Sequence, residues 1–125
     1  MRVMVIVKAN EGAEAGVLPS PEFLAAMDKF NDELVKAGVW LQGEGLQPSA
    51  KGKRIQFNGA NRLVTDGPFA ETRELIAGFW VWKVKSLDEA IEWSKRAPFD
   101  GGATLEIRPL FEMEEFEAAV AKNQA

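Results

Sequence analysis

The stretch Ile76-Ala77-Gly78-Phe79-Trp80-Val81-Trp82-Lys83-Val84-Lys85 decides the fold. In an extended chain Trp80, Trp82 and Val84 point to one side and Phe79 and Val81 to the other, so both faces are apolar and both need cover. Arg2 to Lys8 repeats the pattern, with Val3, Val5 and Val7 opposing Met4 and Ile6. Two strands of this kind predict a sheet with something packed on each side.

The flanking segments supply the rest of the architecture. Ser20-Pro21 reads as an N-cap followed by proline at the first helical position. Phe23, Met27, Phe30 and Leu34 then form one apolar stripe, and Gly38 closes the helix. Val39 to Glu44 is a strand with Val39 and Leu41 on one face and Trp40, Gln42 and Glu44 on the other. Asn10 to Leu18 reads as loop. Arg54–Phe57 and Arg62–Thr65 flank Asn58-Gly59, a hairpin signal, and Asp66-Gly67-Pro68 is a turn. Ser86-Leu87-Asp88-Glu89 has the spacing of a capping box and opens a helix with the stripe Leu87, Ala90, Ile91 and Ser94, which Pro98 ends. Ala103 to Arg108 is a last strand and Glu112 to Ala121 a terminal helix.

The order is a ferredoxin-like βαββαβ with an inserted β-hairpin, an α+β fold in one domain over residues 1–125. Two helices cover only one sheet face. The alternative is that the terminal helix or the hairpin folds over the other; ten residues of helix cannot cover four strands, so a second copy is the expected cover, giving a homodimer. For a chain of 13.8 kDa, surface scaling predicts about 6,600 Å² exposed after folding from about 20,000 Å² unfolded.

Composition narrows the chemistry. The 125 residues contain no histidine, cysteine or tyrosine, so Ser-His-Asp and Cys-His devices and Cys/His zinc sites are excluded. Acid–base work must come from the 19 Asp and Glu, the 15 Lys and Arg, or water. A net charge of −4 makes nucleic acid and anionic membranes poor partners, and the cluster Lys51, Lys53 and Arg54 reads as a solvated hairpin edge. The longest apolar run, Leu75 to Trp82, is eight residues against the roughly 20 of a membrane span, and the N-terminus has no signal-peptide form. The expected location is cytoplasmic. Gly43-Glu44-Gly45 lacks the third glycine and the helix of a dinucleotide site. Glu112, Glu114, Glu115 and Glu117 suit a helix N-terminus better than a cation, so no metal and no cofactor is expected.

Two constellations remain. Asp66-Gly67-Pro68-Phe69 with Glu71, Arg73 and Glu74 is the densest polar group. Asp66 there is either a general acid or base poised by partial burial beside Phe69, or the head of an Asx-type turn. Strand parity suggests the other. Trp40, Gln42 and Glu44, Trp80 and Trp82, and Thr104, Glu106 and Arg108 would project from the sheet face away from the helices. They would line an aromatic cavity between subunits fit for a small planar or anionic ligand, or else be interface core and an edge ion pair.

The runs Gly43-Glu44-Gly45-Leu46-Gln47-Pro48, Val64-Thr65-Asp66-Gly67-Pro68-Phe69-Ala70-Glu71-Thr72-Arg73-Glu74, Gly78-Phe79 and Glu106-Ile107-Arg108-Pro109-Leu110-Phe111 resemble the YCII-related family. They are most similar to its DGPF branch, whose signature DGPFAETKE has lysine where this chain has Arg73. The resemblance implies a dimeric α+β barrel. It also implies distant kinship with lactone isomerases and a dehalogenase, and an association with extracytoplasmic-function sigma factors. Some relatives are thought to use a His–Asp pair; only the acidic member, at Asp66, has a counterpart here.

The expected function is a cytoplasmic dimer that binds a small molecule near the motif, non-catalytic or regulatory, through Trp80, Trp82, Arg108, Glu71, Arg73 and Phe69. The alternative is a carboxylate-based isomerase or lyase acting on a small anionic or cyclic substrate. In it Asp66 or Glu44 moves a proton and Arg108 or Arg73 holds the anion. A third reading is a dimer without ligand, in which the motif only builds the turn.

Overall fold

A computed structural model describes residues 1–124, apart from the side chains of Arg73 and Gln124. The elements follow the predicted order: β1 (Arg2–Lys8), α1 (Glu11–Glu14), α2 (Pro21–Lys36), β2 (Trp40–Gly45), β3 (Lys53–Asn58), β4 (Asn61–Asp66), β5 (Ile76–Lys83), α3 (Leu87–Lys95), β6 (Leu105–Pro109) and α4 (Met113–Gln124). Single 3₁₀ turns lie at Ser49–Lys51 and Thr72–Glu74. The helix α1 falls where loop was expected. Its start is set by Asn10, whose side chain accepts from the Ala13 N–H at 2.7 Å.

The helix ends obey the chemistry read from the sequence. Ser20 Oγ accepts from Phe23 N–H at 3.1 Å at the start of α2, and Gly38, with φ of +74°, takes the left-handed position after its end. Ser86 Oγ caps α3 through Glu89 N–H at 3.1 Å. The Glu89 carboxylate reaches back to the Lys85 N–H at 2.6 Å, one residue earlier than the box spacing predicts.

The main sheet has four antiparallel strands in the order β2-β5-β1-β6, the ferredoxin-like arrangement, and β3 and β4 pair as a separate two-stranded hairpin. Its covered face is the core. Val3, Val5, Trp80 and Trp82 meet Phe30 and Leu34 of α2 and Ala90 of α3 in one buried cluster. Phe30 stands edge-on to Trp80 and Trp82, with ring centroids at 5.8 and 6.2 Å. On α3 the face turned inward is Ala90 and Trp93, continued by Ala97 just past its end, whereas Leu87 and Ile91 of the expected stripe are each 40% exposed.

Two elements stand away from this body. Every residue of β3 and β4 is exposed, and α4 makes no extended contact with any other described helix or strand. The folded chain consequently exposes 9,250 Å², about 2,600 Å² more than the roughly 6,600 Å² expected of a monomer of its mass.

Candidate functional site

The motif loop is built by contacts far apart in sequence. A methyl group at Gly67 would sit 1.7 Å from the carbonyl oxygen of Ser49, so the chain passes that point only because the residue is glycine. Gly67 N–H donates to the Gly52 carbonyl at 3.0 Å, and Phe69 N–H to Ser49 Oγ at 3.1 Å. Glu14 closes the network. One of its carboxylate oxygens accepts from Ser49 N–H at 3.0 Å and the other from the Ser49 hydroxyl. The Arg54 guanidinium lies 3.8 Å above the Phe69 ring.

Asp66 is outside this network. It is 75% exposed and pairs with Lys53 Nζ at 2.6 Å across the base of the hairpin. The partial burial beside Phe69 expected from the sequence is absent, because Phe69 turns toward Arg54 and Ser49. The half-buried polar centre of the loop is instead Glu14 with Ser49, and no local pattern marks that pair: 35 positions separate them. Glu71 is exposed at the start of the 3₁₀ turn Thr72–Glu74, and the side chain of Arg73 lies outside the described residues.

The second constellation divides. Trp80 and Trp82 are 5% and 0% exposed under the helices, so they line no space on the opposite face. Trp40 goes with them. It pairs with Trp82, and a register shift between Trp40 and Gln42 sends Gln42 and Glu44 to the other side. The uncovered face therefore carries two rows of directly opposed residues. One runs Glu44, Phe79, Ile6, Glu106; the other runs Gln42, Val81, Met4, Arg108. Apolar side chains fill the two central strands and charged or amide groups the two edges. Lys8 Nζ approaches Glu106 at 4.0 Å on this side. Glu44 stands on the β2 edge, three strands away from Glu106 and Arg108 on the β6 edge, and Asp66 belongs to the separate hairpin, so the structure brings Glu44 close to none of them.

Two shallow depressions lie among the described residues, and of the groups named above they touch only Lys8 and Thr104. One, of about 360 Å³, lies along the hairpin at Gln56, Asn58, Asn61, Arg62 and Leu63. The other, of about 320 Å³, is an open groove between Lys8–Asn10 and Asp100–Thr104. No three acidic side chains among the described residues gather as a metal would need, and no described helix is long and apolar enough to cross a membrane.

The model of the YCII-related domain matches residues 1–114. The chain belongs to the YCII-related family. This YCII-related chain is 34% identical over 78 residues to an uncharacterized protein of Rhizobium meliloti (strain 1021), a match spanning 61% of this chain and 63% of that protein. Among solved structures it is similar to the 5-chloro-2-hydroxyhydroquinone dehydrochlorinase of Burkholderia phenoliruptrix, in complex with 2,5-dihydroxybenzoquinone. That likeness has 13% identity and a TM-score of 0.47, and covers 91% of this chain and 97% of the other.

Proposed function

We propose that this YCII-related protein, of the DGPF branch, works as a face-to-face homodimer, a dimeric α+β barrel, that binds a small planar or anionic molecule without turning it over. The observation that carries the reading is the sheet face turned away from the helices, where Ile6 is 9% exposed and Met4, Phe79 and Val81 are half-buried. An apolar centre of Met4, Ile6, Phe79 and Val81 is flanked by Glu44, Gln42, Glu106 and Arg108. Apolar area of that kind is stabilised by burial against a second sheet, and polar groups at its rim suit a ligand with one flat and one charged side. Arg108 is the anchor for an anion, because its guanidinium offers a planar fork to a carboxylate. A cytoplasmic regulatory role, with an extracytoplasmic-function sigma factor as a partner, accords with a binding rather than a catalytic site.

A second reading gives the same space an isomerase or lyase chemistry. Glu44 favours it, because its carboxylate sits on that face beside Phe79. Glu44 is then the proton carrier, and the solvated, Lys53-paired Asp66 is not.

Sedimentation velocity at micromolar concentration tests the dimer; a 13.8 kDa particle would overturn it. Saturation-transfer NMR with salicylate, a planar anion, tests the site. Binding is expected in the parent protein and lost in Arg108→Ala. Equal binding in both removes Arg108 from the site.

A further inference from the structure

The two elements that stand free of the body match each other. The hairpin carries Ile55, Phe57 and Val64 on one face, by strand parity and by the pairing of Ile55 with Val64, and these are 57%, 71% and 55% exposed. On α4, Met113, Phe116 and Val120 follow the spacing of a single helical stripe and are 69%, 45% and 38% exposed. The ring of Phe111, itself 71% exposed, packs edge-on against Phe116 at 5.3 Å and extends the stripe. Solvated apolar strips on projecting elements are what interfaces leave behind when one partner is removed.

Their charges are opposite. Residues 51–66 hold Lys51, Lys53, Arg54 and Arg62 against the single carboxylate of Asp66, a net charge of +3. Residues 112–124 hold Glu112, Glu114, Glu115 and Glu117 against Lys122, a net charge of −3. Within one chain the two do not meet. The hairpin is inserted after β2, at one edge of the main sheet, and α4 follows β6, at the other edge. Three strand spacings, about 14 Å, lie between those edges. Antiparallel pairing puts the hairpin at the end of the strands beside Lys8 and Leu75 and the start of α4 at the opposite end beside Arg2, so a twofold axis between two stacked sheets that runs obliquely across the strands exchanges these diagonal corners, and each basic hairpin faces an acidic helix, twice per dimer.

The base of α4 is held ready for this. Arg2 grips Glu112 with Nε at 3.1 and 3.3 Å and Nη2 at 3.2 Å, which ties the start of the helix to β1. Area agrees as well. The surplus of about 2,600 Å² per chain doubles to about 5,200 Å² for a pair, which is what large obligate dimers bury. We infer that the β3–β4 hairpin of one copy docks on the acidic C-terminal helix of a second copy, apolar strip on apolar strip with the basic and acidic residues around it. The inference rests on the homodimer proposed above and adds which elements hold it together.

The absence of native cysteine makes the test direct. The full chain carrying both Val64→Cys, an exposed position in the hairpin strip, and Ala119→Cys, an exposed position beside the helix strip, is treated with a short bismaleimide and resolved on a denaturing gel. The expected product is a covalent dimer from the double variant and none from either single variant. Five results would overturn the docking. A dimer from Val64→Cys alone puts hairpin against hairpin. A dimer from Ala119→Cys alone puts helix against helix. An internally linked, faster-migrating monomer puts the helix on its own hairpin. No link at all, in a double variant that still sediments as a dimer, removes this contact and leaves the dimer standing. A double variant and parent that both sediment as monomers remove the dimer itself.

Discussion

Gly67→Ala is the sharpest test of what the DGPF loop does. The added methyl group would lie 1.7 Å from the Ser49 carbonyl oxygen and 2.6 Å from its carbon, both backbone atoms that cannot swing aside. Restoring a contact of 3.0 Å, the limit real Cβ atoms observe, separates the two strands of backbone by about 1.3 Å. That shift breaks the hydrogen bonds from Gly67 to Gly52 and from Phe69 to Ser49, and loosens the seat of Ser49 on Glu14. At about 0.5–1.5 kcal/mol net for each of three such bonds, the expected loss is about 2–4 kcal/mol. Urea unfolding, read by tryptophan fluorescence at fixed chain concentration, should show the midpoint fall by about 1–2 M. Amide exchange should show Gly67 and Phe69 losing protection. Asp66→Asn is the contrast. Its ion pair with Lys53 is solvated on both sides and is worth about 0–1 kcal/mol, so the midpoint should barely move. A Gly67→Ala protein with the parent midpoint and the parent protection at both amides would refute the reasoning.

Phe30→Ala should cost about 3–5 kcal/mol, because the ring is 4% exposed and wedged edge-on among Trp80, Trp82 and Trp93. A loss below about 1.5 kcal/mol in the same unfolding assay would mean that the covered face is not the core described. Acid should release the start of α4. Hydrogen bonds and charge from Arg2 hold the Glu112 carboxyl below its usual range. The contact is therefore in full force above the ordinary carboxylate pKa of about 4.3 and is lost as pH falls through the lowered value. Protection of the Phe116 amide, which donates to the Glu112 carbonyl at 2.9 Å and closes the first turn of α4, followed by exchange from about pH 6 to about pH 3, should drop in the parent protein and show no such step in Glu112→Gln. A parent protein with the same protection at both ends would remove this role for the pair.

Much of the fold was legible because its signals are local. Ser20-Pro21, Ser86 to Glu89 and Asn58-Gly59 each act within a few residues, through a cap or a turn, and each element they delimit is present. The apolar alternation of β1 and β5 likewise named the central strands. The site was less legible. Parity put Trp40 beside Gln42 and Glu44, but the register shift after Trp40 is a property of pairing with β5 and leaves no trace in the strand's own residues. Glu14 lay in a stretch read as loop, and its role depends on Ser49 arriving from another part of the chain.

The sequence by itself determined which strands are apolar on both faces, where the helices start and stop, and that any acid–base chemistry must use carboxylates or amines. Only the tertiary structure decided which face the helices take. They take the side of Trp80 and Trp82, because Phe30 and Leu34 of α2 and Ala90 of α3 pack against those rings, and periodicity cannot tell one apolar face from another. That choice puts Glu44, Glu106 and Arg108 on the open face and leaves Asp66 in solvent at the foot of the hairpin.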